Sequence, residues 1–78
     1  MSAVRGGVYL TDREREILLL VAEGYSNADI GRALEISRLT VGNRLQHVYL
    51  RLGSQGRANT IWLAVKYGLL DPHAETVA

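Results

Sequence analysis

Apolar residues recur along this chain in steps of three and four, and most of these runs open on a hydroxyl residue and close on a glycine. That spacing predicts amphipathic helices. The first starts after Thr11, whose hydroxyl can accept from free backbone N–H groups. Glu14, three places on, completes a capping box, and Leu10 suits a hydrophobic staple. Ile17, Leu18, Val21 and Ala22 form its apolar stripe and Gly24 its stop. Ser26 caps a short second helix over about Asn27–Leu34, with Ile30, Ala33 and Leu34 inward, ending near Glu35-Ile36. Ser37 caps a third helix that runs to about Leu52, before Gly53. A turn at 54–56 leads to a fourth over about Arg57–Tyr67, with Ile61, Ala64, Val65 and Gly68 inward. No strand pattern is visible. Residues 1–9, broken at Gly6-Gly7, read as a flexible arm, 10–70 as one domain, and 71–78, with Pro72, as a flexible tail. The expected fold is all-α: a compact four-helix bundle in which a short helix, a tight turn and a longer helix make a helix-turn-helix.

Charge changes the picture more than composition does. The net charge of the 78 residues is only +1. Residues 1–35 carry four arginines against six acids, a net −2, while residues 36–70 carry Arg38, Arg44, Arg51, Arg57 and Lys66 with no acid, a net +5. A chain with one basic half is a candidate for a polyanionic partner; a merely solvated basic face is the plain alternative. With no cysteine there is no disulfide framework or thiolate metal site, and His47 and His73 lack metal-ligand spacing, so neither metal nor cofactor is expected. No apolar stretch nears the roughly 20 residues of a membrane span, and Met1 to Val8 does not read as a signal peptide. The expectation is a soluble, cytoplasmic protein with no membrane partner.

The third helix carries the candidate chemistry. At about 100° per residue, Val41, Leu45, Val48 and Leu52 share one side, and Leu39, Asn43, Gln46 and Leu50 fall nearly opposite. Gly42 and His47 flank that outer line, and Thr40, Arg44 and Arg51 cluster along one edge. Asn and Gln each present a donor and an acceptor, which match the N6/N7 edge of adenine in the major groove of duplex DNA. Thr40, Arg44 and Arg51 are expected on phosphates; Arg38, at the helix start, is expected on a phosphate or a base edge. A polar face on any surface helix is the competing explanation.

The run "LTDREREILLLVAEGYSNADIGRALEISRLTVGNRLQHVYLRLG", continued by Arg57 and by "GLL" at 68–70, resembles the LuxR-type (GerE-like) helix-turn-helix domain over about residues 10–70. The resemblance implies a four-helix transcriptional regulator whose third helix enters the major groove, with base-facing positions at Gly42, Asn43 and Gln46. It implies a bacterial or phage origin, and a homodimer through helix four on a palindromic site. With no room for a receiver or ligand-binding domain, the chain resembles the family's stand-alone members. It departs from the family pattern at Gly42, usually Lys; at Arg44, usually His; at Gly31, usually Ala; and at Glu35, usually Gly. If Glu35 has positive φ, it carries roughly 1 kcal/mol of strain.

Helix four places Asn59, Trp62, Leu63 and Lys66 on or near its outer side, and these are the expected dimer residues. Trp62 covering the domain's own edge is the alternative. A second function class is an interaction module that uses Leu39, Leu50 and Trp62 to bind RNA polymerase or a larger regulator, with DNA binding secondary. An enzyme is not expected, because no nucleophile–base pair, metal cluster or phosphate loop is visible.

Overall fold

The computed structural model describes residues 3–5 and 8–71. Their order is β1 (Ala3–Arg5), β2 (Val8–Leu10), α1 (Asp12–Ala22), α2 (Asn27–Leu34), α3 (Arg38–Leu52) and α4 (Arg57–Lys66). The four helices stand where the hydrophobic spacing puts them. The expectation of no strand is corrected: β1 and β2 pair antiparallel, Ala3 opposite Leu10 and Arg5 opposite Val8. The tail expected over 71–78 lies, beyond Asp71, outside the described residues.

Local hydrogen bonding explains the helix starts. Thr11 Oγ1 accepts from the Glu14 N–H at 3.1 Å while Glu14 Oε1 accepts from the Thr11 N–H at 2.9 Å. Ser26 and Asp29 make a second reciprocal box at the start of α2. Ser37 Oγ accepts from the Thr40 N–H at 3.0 Å to begin α3. Each bond satisfies a donor that a helix N-terminus leaves free.

The turn between α2 and α3 is unusually tight. Glu35 sits in the left-handed region, with φ of 60°, as its place in the motif suggested. A Cβ on Gly31 would lie 2.6 Å from the Ile36 carbonyl oxygen and 3.2 Å from the Arg38 nitrogen. Both atoms are backbone and cannot swing away. Only glycine lets α2 meet the start of α3 this closely.

Ile17, Leu18 and Val21 of α1, Ile30 of α2 and Val41, Leu45, Val48 and Leu52 of α3 close the core, with Leu10 of β2 beneath them. Four inward expectations are corrected. Ala22, Ala33 and Gly68 are exposed, and Val65 is 46% exposed. On α4 the buried pair is Thr60 and Ala64, with Ile61 half-buried. Thr60 can go inside because its hydroxyl bonds to the Gly56 carbonyl and to Ser54 Oγ. Gly68, at φ 73°, then turns the chain back so that Leu69 and Leu70 bury beside Ala64.

Candidate nucleic-acid interface

The outer face of α3 is open. Leu39 and Leu50 are exposed, as are Arg38, Asn43, Arg44, Gln46 and His47. Among the described residues no ion pair is formed by Arg38 or Arg44, so both charges stand unmatched on this face. Thr40 is half-buried and shares a 2.9 Å hydroxyl–hydroxyl hydrogen bond with Ser37.

Four of the predicted residues come together. Arg38, Gly42, Asn43 and Gln46, joined by Leu39, form one wall of an open groove of about 570 Å³; Ser26, Asn27 and Ala28 at the start of α2 form the other. A Cβ on Gly42 would rest 3.8 Å from Asn27 Nδ2, ordinary contact. Gly42 is therefore not forced by packing. Its effect is to keep the groove clear of a side chain where Asn43 and Gln46 emerge.

Asn27 and Arg57 were not predicted for this site. Arg57, from the first turn of α4, donates to Asn27 Oδ1 at 2.6 Å and to the Tyr25 carbonyl oxygen. With its oxygen so engaged, the Asn27 amide group turns its N–H donors toward Gly42 and the groove. The sequence signal for both was their place in the family motif, Asn27 within the quoted run and Arg57 beyond it.

Arg51 stands apart from that groove, with its guanidinium turned to partners inside the fold. Its guanidinium grips the Glu14 carboxylate through two bonds, 2.5 and 3.1 Å, donates to the Tyr9 carbonyl oxygen and lies 4.3 Å above the Tyr9 ring. Glu14 is 3% exposed. Burial pushes its carboxyl up, but the bonds from Arg51 and Thr11 outweigh that and hold it below its ordinary value. Arg51 thus ties α3 to α1 and the hairpin. Part of the basic half is spent inside the fold.

On α4, Trp62 is 58% exposed and Lys66 Nζ lies 5.0 Å above its ring. Asn59 is exposed and accepts from the Gln55 N–H at 3.1 Å. Leu63 is half-buried against the core, so it lies at the margin of this face, and exposed Val65 joins Trp62 instead.

The chain is similar in sequence and fold to known proteins. A family model described as "Bacterial regulatory proteins, luxR family" matches residues 8–64. The chain is 42% identical over 64 residues to a protein of Mycobacterium tuberculosis named as an HTH-type transcriptional regulator, a match covering 82% of this chain. It spans only 7% of that relative's length. The solved structure of the transcription factor GerE matches with a TM-score of 0.77 at 40% identity, over 81% of this chain and 94% of GerE. A VqmA–ligand–DNA complex from Vibrio cholerae matches with a TM-score of 0.69 at 30% identity, over 83% of this chain and 30% of VqmA. No helix among the described residues is long and apolar enough to cross a membrane.

Proposed function

The chain belongs to the luxR family of bacterial regulatory proteins and carries that family's helix-turn-helix DNA-binding domain, and from that premise we propose that α3 lies in the major groove of duplex DNA and reads its sequence. The observation that carries this is the convergence of Arg38, Gly42, Asn43 and Gln46 on one open groove while Val41, Leu45, Val48 and Leu52 turn inward. Asn43 and Gln46 meet base edges, preferably adenine; Arg38 reaches a base or phosphate from the first turn. Arg44 and Thr40 hold phosphates and set the register. Asn27, aimed by Arg57, adds a donor on the α2 side.

The protein acts as a homodimer through α4, with Trp62, Val65 and Lys66 at the contact and Asn59 and Leu63 at its margin. Two recognition helices then face half-sites about 34–36 Å apart on a palindromic site. It regulates transcription in the bacterial cytoplasm. That VqmA was solved with DNA supports the reading. Selection of random duplexes by the purified protein tests it: the expected return is one motif with two-fold symmetry. Recovery of no motif at low salt would overturn the reading, and an asymmetric single motif would overturn the dimer.

A second reading, an interaction module for RNA polymerase or a larger regulator, has Leu50 in its favour, 79% exposed yet outside the groove. Protein binding retained without duplex binding would support it.

A further inference from the structure

Leu39 is a leucine in the wrong surroundings. It is 72% exposed on the first turn of α3, and it lines the groove beside Asn27, Arg38, Asn43 and Gln46, all polar. Leu50 is as exposed, but it lies about 16 Å further along the helix axis and outside the groove. Among these donors and acceptors, Leu39 is the one long apolar group that can meet whatever the groove receives.

The base edges of a major groove present one apolar feature, the 5-methyl group of thymine. Cytosine methylated at C5 presents the same group in the same place. We infer that Leu39 is a specificity-determining residue that reads a pyrimidine 5-methyl group next to the base pair contacted by Asn43. The inference rests on α3 being the major-groove helix. Leu39 and Asn43 are four apart on one face, with Cβ atoms about 5–6 Å from each other. Base pairs step by about 3.4 Å. The two side chains therefore meet base pairs one or two steps apart. Leu39 covers the methyl with its own, and burial of the two against each other separates thymine from any base lacking the group.

The test uses the duplex recovered by selection, with each thymine replaced singly by deoxyuridine, which removes only the methyl. At one thymine, within two base pairs of the position sensitive to Asn43→Ala, deoxyuridine weakens binding about fourfold, the worth of one buried carbon group. At that position 5-methylcytosine binds better than cytosine by a similar factor, which shows that the methyl and not the rest of thymine is read. In Leu39→Ala both ratios fall to about one, and the variant melts as the parent does because the side chain is exposed. The inference is overturned if no thymine shows the ratio, or if the ratio survives in Leu39→Ala. Failure to recover any duplex would instead overturn the DNA reading beneath it, and this inference with it.

Discussion

At the scale of single residues, Asn43 and Arg51 separate reading from folding. Asn43→Ala leaves the core untouched, since Asn43 is exposed. It should relax sequence choice at one base pair, costing about 1–3 kcal/mol in affinity for the selected site, measured by titration against matched and mismatched duplexes. Arg51→Ala should instead destabilise the fold by about 2–3 kcal/mol, because it strands a buried carboxylate that now has two charged bonds. Thermal melting checks this. The pair was hidden from the sequence for a physical reason. Glu14 and Arg51 are 37 positions apart, and a count of charges along the chain treats each as solvated. The carboxyl of Glu14 is held below its ordinary value of 4.5, so its contribution is present above that pH and is lost as pH falls through the lower folded value. The melting temperature should therefore drop in acid below about 4.5. Glu14→Gln should flatten part of that drop; Asp29, lowered by its bonds to Ser26, keeps the rest.

At the scale of elements, the helix-turn-helix was the most legible part of the chain. Ser26, Ser37 and Gly53 mark α2 and α3 to the residue, because capping and left-handed stops are local chemistry. The hairpin was not legible: three-residue strands are too short to show alternation. The register of α4 was misread because Thr60 looks polar until its hydroxyl finds Gly56 and Ser54. The α2–α3 turn invites two opposed substitutions. Gly31→Ala gains helix propensity but drives a Cβ into the Ile36 carbonyl, for a net loss of about 1–2 kcal/mol. Glu35→Gly relieves left-handed strain and should gain roughly 1 kcal/mol. Melting temperatures of the two variants should move in opposite directions by several degrees. A shift in the same direction would mean the turn is looser than its geometry indicates.

At the scale of the whole molecule, the basic half resolves into two parts. Arg51 ties helices together, and Arg57 aims Asn27; Arg38 and Arg44 remain outward on the face of α3. The groove between α2 and α3 was only half legible, since its α3 wall follows from helical spacing but its α2 wall depends on how the two helices pack. If α4 joins two copies, Trp62→Ala should weaken occupancy of a two-half-site duplex by about thirtyfold or more while a single half-site binds as before, read by sedimentation or gel shift. The most direct test of α3 as the reading element is to follow backbone amide signals by NMR as a selected duplex is added. The account predicts the largest changes at Arg38, Leu39, Asn43 and Gln46, with Asn27 beside them and the outer face of α1 quiet. Changes concentrated on α1 or α4, with residues 38–46 unmoved, would contradict it.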